Sequence, residues 1–238
     1  QDPRVRVLRD GQNKGLPARL NEIVRLAKGE LVARMDADDA MHPLRLEKQV
    51  GFLQANPELD GVTTGAYLID AEDRPIALLP GRQPSAQEVL ARGGFLHPSL
   101  LARKSWFEAH PYSLDYPRAE DRELFVRTFK TSRLHVLSEP LYFYRWFGVP
   151  RGKTLRIGYR SERKVMWKYG PNLVGWGPSL RLIALSFGKE LLTWFLEWTH
   201  LEKGFQTRRA FQPLLEMDQR EALRTLKVIR ETCVPGWD

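Results

Sequence analysis

Three carboxylates follow a predicted strand within four residues of one another. Residues 31–35 form the strand, and Asp36, Asp38 and Asp39 come directly after it. In open α/β sheets, ligands bind beyond the carboxyl ends of the strands. Like charges this close repel unless a cation compensates them, and Mg²⁺ or Mn²⁺ prefers such oxygen ligands. The pattern predicts a divalent-metal site that bridges the protein to phosphate oxygens of a substrate.

The same carboxylates also allow a structural interpretation. Asp39 is well placed to cap the next helix, because Pro43 and an apolar run start soon after it, and the other two carboxylates would then be solvated. A D-x-D string alone is common. Its specificity here comes from the strand before it and the helix after it.

The elements around these carboxylates predict the fold class. Strands alternate with helices as far as about residue 130, which favours an α/β protein with a largely parallel sheet. The predicted strands cover residues 4–9, 31–35, 62–69, 75–79, 99–102, 134–137 and 141–144, and the main helices cover 17–28, 43–55, 119–129 and 214–231. The pattern after about residue 150 is wholly helical. Two domains follow from this, a catalytic body at residues 1–148 and a helical, basic extension at 149–238.

Residues 13–39, which read NKGLPARLNEIVRLAKGELVARMDADD, and residues 42–49, HPLRLEKQ, carry a family resemblance. They resemble family 2 glycosyltransferases of the GT-A fold, and the resemblance covers roughly residues 3–146. It implies a nucleotide-sugar donor and a bound Mn²⁺ or Mg²⁺. Carried over, Asp38 is the metal ligand, and Asp36 contacts the ribose or the water shell of the metal. Asn13 and Gly15 match a loop that lies near the nucleotide.

A second acidic pair, Glu120 and Asp121, begins the predicted helix at 119–129. The helix dipole favours carboxylates there, which is a sufficient structural explanation. The resemblance instead implies that Asp121 is the general base, which takes the proton from the acceptor hydroxyl as it attacks the anomeric carbon. Glu120 would help to shape the acceptor site, and in-line attack would invert the anomeric configuration.

Two further residues match positions of this family. His97, in the segment His97-Pro98-Ser99, resembles a segment near the active site, although a lone histidine is more often structural. Arg145 matches a recurring arginine that could contact a phosphate. The family pattern has a His and a Ser shortly after that arginine, whereas this chain has WFGVP at 146–150, which puts diphosphate contacts from this loop in doubt.

The resemblance also predicts that the chain lacks a segment. The family opens with a strand, a helix and a second strand that hold the nucleotide base, and this sequence starts after them. The expected sheet therefore lacks its first βαβ elements, which we interpret as an N-terminal truncation. The alternative is a gene product without a base pocket, which would bind donor poorly.

Charge is distributed unevenly. Residues 1–150 carry 21 Lys and Arg against 20 Asp and Glu, whereas residues 151–238 carry 16 against 9. Within the basic part, a helical stripe of apolar residues includes Trp194 and Trp198, and charges at Arg181, Lys189 and Glu190 interrupt it. It is too polar to span a bilayer. It could lie on an anionic membrane surface, or pack on the body or in a dimer; a basic face that is merely solvated is equally compatible.

The expected function is an inverting transfer of a sugar to the hydroxyl of a saccharide or lipid-linked acceptor, in the synthesis of surface polysaccharide or glycolipid. One cysteine, Cys233, and no secretory signal indicate the cytoplasm, or the cytoplasmic face of the membrane. The alternatives are an inactive transferase-like scaffold and, less favoured, a haloacid-dehalogenase-like phosphatase. Nucleic acid is not an expected partner because no binding motif is present, and the oligomeric state stays open.

Overall fold

A computed structural model describes residues 3–147, 152–199 and 214–232. The elements follow in chain order as α1 (Leu16–Leu26), β1 (Leu31–Ala33), β2 (Ala40–Met41), α2 (Arg45–Ala55), β3 (Gly61–Ile69), β4 (Pro75–Leu79), α3 (Ala86–Arg92), a 3-10 turn (His97–Ser99), β5 (Leu101–Arg103), α4 (Lys104–Ala109), α5 (Glu120–Thr128), β6 (Leu134–Arg145), α6 (Gly152–Val174), α7 (Trp176–Trp198) and α8 (Glu216–Glu231). The predicted alternation of strands and helices, followed by a helical C-terminal part, is confirmed.

The sheet is mixed, so the expectation of a mostly parallel sheet is wrong. Its order is β1-β5-β3-β6-β2, with β4 paired to β3. The strands β3 and β6 run parallel, whereas the pairs β1–β5, β2–β6, β3–β4 and β3–β5 are antiparallel. A short turn suffices to reverse the chain between antiparallel strands, as it does between β3 and β4, whereas parallel neighbours need a long crossover.

The first predicted strand is also wrong. Residues 4–9 form no strand, and Val5 and Val7 are each 69% exposed. Alternating residues form a strand only where a neighbouring strand satisfies their backbone groups, and the described part of the chain offers none there.

Helices cover both faces of the sheet. Ala102 packs in the larger hydrophobic cluster with α1, α3, α4, α5 and α6, and its neighbour Leu101 packs on the opposite face against Leu53 of α2. Adjacent strand residues point to opposite faces, which explains the division. The nine residues of β3 are all buried, so this strand lies at the centre of the fold.

The C-terminal helices pack on this body. Val165 and Met166 of α6 join the larger cluster, and Ala222 and Leu226 of α8 pack with Tyr67. The proposed domain boundary falls at residues 148–151, which lie outside the described residues, as does Cys233. The division into two domains therefore stays a prediction.

Candidate active site

The loop after β1 presents one free carboxylate at the surface. Asp38 is exposed, and within the described chain its carboxylate oxygens make no hydrogen bond. Asp36 is half-buried and accepts a hydrogen bond from Nη2 of Arg34 at 2.7 Å. The backbone N–H of Asp36 donates to the hydroxyl of Tyr142 at 3.2 Å. The loop thus holds Asp36 in place and leaves Asp38 available.

Asp39 anchors this loop to the sheet. Its carboxylate accepts hydrogen bonds from the hydroxyl of Tyr142 at 2.8 Å and from the backbone N–H of Arg145 at 2.7 Å. Burial raises the pKa of Asp39, and these two bonds oppose that rise. The expectation that Asp39 caps the next helix is wrong, because α2 begins at Arg45 with Leu44 in the capping position.

Arg145 ties the same loop to the turn between β3 and β4. Its Nε donates to the carbonyl oxygen of Asp38 at 2.7 Å, Nη1 donates to the carbonyl of Asp70 at 2.8 Å, and Nη2 pairs with Asp73. Only 17% of the side chain is exposed. These contacts give Arg145 a positioning role. Its predicted phosphate contact stays a prediction, and residues 148–150 of the loop that follows lie outside the described chain.

The second acidic pair occupies the first turn of α5. One oxygen of Asp121 accepts the backbone N–H of Arg122 at 2.7 Å, and no described residue bonds the other oxygen. Glu120 is half-buried; burial raises its pKa, while the charge of Arg34 lowers it. Both carboxylates therefore sit at a helix N-terminus, where the dipole favours their ionised form.

Arg34 and Tyr112 connect the two acidic pairs. Arg34 is 8% exposed, and its Nε and Nη1 have no hydrogen-bond partner among the residues that the structure describes. Burial raises the pKa of Tyr112; Arg34 opposes that rise, and the charges of Asp121, Glu120 and Asp36 add to it. Arg34 donates a hydrogen bond to Asp36, and its charge also acts on Glu120 and Tyr112. The carboxylates after β1 and those of α5 therefore share Arg34 as an electrostatic neighbour.

His97 lies behind this site rather than in its opening. It is 5% exposed, and its Nε2 is 2.8 Å from the hydroxyl of Tyr112. Burial and then the charge of Arg34 hold the pKa of His97 well below its usual range, so the ring is neutral. The side-chain amide of Asn21 bonds both backbone groups of Tyr112, at 2.9 and 2.8 Å, which ties α1 to the same spot. Donor contact by His97 stays a prediction.

Asn13 and Gly15 form the entry to α1. The side-chain oxygen of Asn13 accepts the backbone N–H of Gly15 at 3.1 Å, and Gly15 has a φ of 79° at the N-cap, a conformation that favours glycine. No described hydrogen bond joins either residue to Asp36 or Asp38, and their place near the nucleotide stays a prediction.

A metal shared with a substrate fits the acidic loop. The described residues contain no group of three or more His, Cys, Asp or Glu that could hold an ion unaided. Mg²⁺ is commonly held by one or two carboxylates together with substrate phosphates. The free carboxylate of Asp38 and the neighbouring Asp36 are a donor set of that kind.

Sequence reasoning missed three members of this site, Arg34, Tyr112 and Tyr142. A signal for Arg34 was present, since a single arginine interrupts an otherwise apolar predicted strand at 31–35. Nothing comparable marks the tyrosines, which the fold brings in from distant elements. Arg45 supports the same region, because its Nη2 donates a hydrogen bond to the carbonyl of Arg34 at 2.9 Å. Burial lowers the pKa of Arg45 to about 10.

Fold and site together define an α/β domain with two pairs of carboxylates in one electrostatic neighbourhood. Residues 1–114 match the family model described as glycosyl transferase family 2. This match confirms the resemblance of the chain to family 2 glycosyltransferases. The match begins at residue 1 and leaves the predicted truncation untested.

Curated relatives agree with this assignment. The chain is 32% identical to putative glycosyltransferase EpsE of Bacillus subtilis over 148 residues, which are 60% of this chain and 52% of EpsE. It is 33% identical to O-antigen biosynthesis glycosyltransferase WbnJ of Escherichia coli over 131 residues, which are 53% and 51% of the two chains. The chain thus spans about half the length of these relatives.

Among solved structures, mannosyltransferase PcManGT from Pyrobaculum calidifontis, in complex with GDP-Man and Mn²⁺, matches with a TM-score of 0.47 and 14% identity. The match covers 93% of this chain and 68% of PcManGT.

Proposed function

We propose that this chain carries the catalytic site of an inverting glycosyltransferase, which moves a sugar from a nucleotide-diphosphate sugar to an acceptor hydroxyl. The observation that supports this most is the buried Arg34, which donates a hydrogen bond to Asp36 of the first acidic pair and acts electrostatically on Glu120 of the second. One pair suits a metal–diphosphate complex and the other suits a base.

The acidic loop is the donor side of the proposed site. Asp38, with Asp36 beside it, would hold Mg²⁺ or Mn²⁺, which supplies positive charge against the departing diphosphate. Tyr142 and Arg145 keep the loop in shape through Asp39 and the carbonyl of Asp38. Because Tyr142 and Arg145 belong to β6, these hydrogen bonds hold the loop without using the exposed carboxylate of Asp38.

The first turn of α5 is the acceptor side. Asp121 takes the proton from the acceptor hydroxyl as its oxygen attacks the anomeric carbon. The bond from that carbon to the diphosphate breaks, the new glycosidic bond forms, and the configuration inverts. Glu120 borders the acceptor. The family match and the O-antigen role printed for WbnJ support a saccharide or lipid-linked acceptor in surface polysaccharide synthesis.

Two substitutions separate these roles. In Asp38→Ala, metal-dependent donor binding measured by calorimetry over a panel of nucleotide-diphosphate sugars should weaken at least tenfold, because the exposed carboxylate is lost. In Asp121→Asn, donor affinity should stay within about twofold, while the transfer rate falls by about 10²- to 10⁴-fold.

Asp115→Asn is the matched control, an acid of the neighbouring loop that is exposed and outside the site; its rate should equal that of the parent. Normal transfer by Asp121→Asn would refute the base assignment. A parent protein that takes up neither cation nor donor would favour the scaffold alternative.

A further inference from the structure

Most of the large apolar side chains of α7 face solvent, although Leu182 and Ile183 pack against the main hydrophobic cluster. The two fully buried residues of α7 are Ser179 and Ser186. Its exposed large apolar side chains are Trp176, Leu180, Leu185, Phe187, Leu191, Leu192, Trp194, Phe195 and Trp198. A surface helix normally turns its apolar stripe to the core. Contiguous exposed apolar surface of this kind marks a site that meets a partner or a membrane.

The polar face of α7 is held against α6 by ion pairs. Glu190 pairs with Arg163, and Glu197 pairs with Arg156. The side chains of Glu190 and Arg163 are only 13% and 12% exposed. Since these pairs fix the rotation of the helix, the outward direction of the apolar face is a built feature of the hairpin formed by α6 and α7.

The exposed charges of this hairpin are cationic. Residues 152–198 contain eight Lys and Arg against three Glu. All three glutamates are paired with arginines, the third being Glu162 with Arg122 at 2.9 Å. Arg181 and Lys189 lie on the exposed side of α7 and line an apolar groove there, and Lys153 and Lys164 are exposed on α6. The surface therefore combines tryptophan and leucine side chains with unopposed positive charge.

We propose that α7 lies in the surface of an anionic lipid bilayer, with its apolar face among the lipid chains and Arg181 and Lys189 at the phosphates. Interfacial helices have this combination of a large apolar face, tryptophans and cations. None of the described helices is long and apolar enough to cross a membrane, so the helix lies along the surface. The proposal rests on α7 alone and does not depend on the proposed function.

A second copy of the chain suits this surface less well. In a twofold dimer, the same patch meets itself. Arg181 and Lys189 of one copy would then approach those of the other, and the three glutamates of residues 152–198 are already paired with arginines. Anionic headgroups supply the missing negative charge, each cation near such a surface being favourable.

The test is flotation of the whole chain with vesicles of phosphatidylcholine alone or of phosphatidylcholine with 30% phosphatidylglycerol, a composition on the order of natural anionic leaflets. The parent should bind the anionic vesicles, with a blue shift of tryptophan fluorescence. Leu191→Ser with Trp198→Ser should weaken binding at least 30-fold. Arg181→Gln with Lys189→Gln should weaken it about 30-fold and flatten its salt dependence.

Met217→Ser with Leu223→Ser is the matched control, since both are exposed apolar residues of another helix, and it should bind like the parent. Equal thermal unfolding of all variants shows that the fold is intact. Absence of binding, equal binding to both vesicle types, or unaltered binding by the α7 variants would overturn the proposal. A parent dimer that Leu191→Ser with Trp198→Ser converts to monomer, without vesicle binding, would assign the face to a second copy.

Discussion

At the scale of single residues, the charge balance around Arg34 organises the site. A buried donor without a hydrogen-bond partner costs about 1–3 kcal/mol, and two guanidinium nitrogens of Arg34 have no partner in the described part of the chain. Its remaining contact is with Asp36, and its charge acts on Glu120 as well. The fold therefore gives up stability to keep this positive charge beside Asp36, as is common at functional sites.

Glu120 allows a test of this balance by pH. Because burial raises its pKa, the folded state binds the proton more tightly than the unfolded state does, and ionisation above that pKa costs stability. Glu120→Gln should raise the thermal unfolding midpoint at pH 7–8, and the gain should shrink as the pH falls toward 5. Glu72→Gln, an exposed acid of the turn before β4, should show no such trend. A destabilised Glu120→Gln at pH 7 would contradict the assignment.

The chemistry of the site was predictable where adjacent residues carry it, and not where the fold assembles it. The loop at Asp36 and Asp38 and the pair at Glu120 and Asp121 are visible as short strings. Tyr112 and Tyr142 are single aromatic residues, whose contacts depend on the packing of distant strands. Arg145 was identified, but its bonds to the carbonyls of Asp38 and Asp70 could not be inferred from its position.

At the scale of elements, two glycines have opposite requirements. A Cβ on Gly81 would lie 1.9 Å from the carbonyl oxygen of Leu137 in β6, whereas one on Gly51 in α2 would meet nothing within 4 Å. Gly81→Ala should therefore destabilise the protein by about 2 kcal/mol or more. Gly51→Ala should stabilise it by about 0.5–1 kcal/mol. Urea unfolding gives the free energy of unfolding of both variants. Equal midpoints would show that the backbone of β6 at Leu137 shifts at little cost to make room for the added methyl group.

Elements were easier to predict than their directions. Apolar periodicity placed α2, β3 and α8 close to their observed bounds. It could not show that β5 runs antiparallel to both β1 and β3, since alternation of apolar residues is the same in either direction. The wrong prediction of a strand at residues 4–9 has a related cause. Apolar alternation indicates that a segment can form a strand, but not whether a neighbouring strand is there to pair with it.

At the scale of the whole molecule, α6 packs into the body through apolar residues, and ion pairs link α7 to α6. Helix α6 contributes the buried Val165 and Met166 to the main cluster, whereas α7 adds only the partly buried Leu182 and Ile183, and its fully enclosed residues are serines. Apolar burial dominates folding stability. We therefore expect α7 to open at lower free energy than β3, in the way that local unfolding units do.

Glu190 allows a test of this expected difference in opening free energy between α7 and β3. It pairs with Arg163 and lies 3.4 Å from Arg160, so Glu190→Ala leaves the nearly buried Arg163 without a carboxylate, a loss of about 3–5 kcal/mol. Hydrogen exchange in the absence of lipid should then quicken along α7 while β3 keeps its protection. Glu216→Ala, which breaks an exposed pair with Arg220, should change exchange nowhere by more than about 0.5 kcal/mol. Equal loss of protection in β3 and α7 would mean that hairpin and body unfold as one unit, because the packing of α6 would then transmit the whole cost to the sheet.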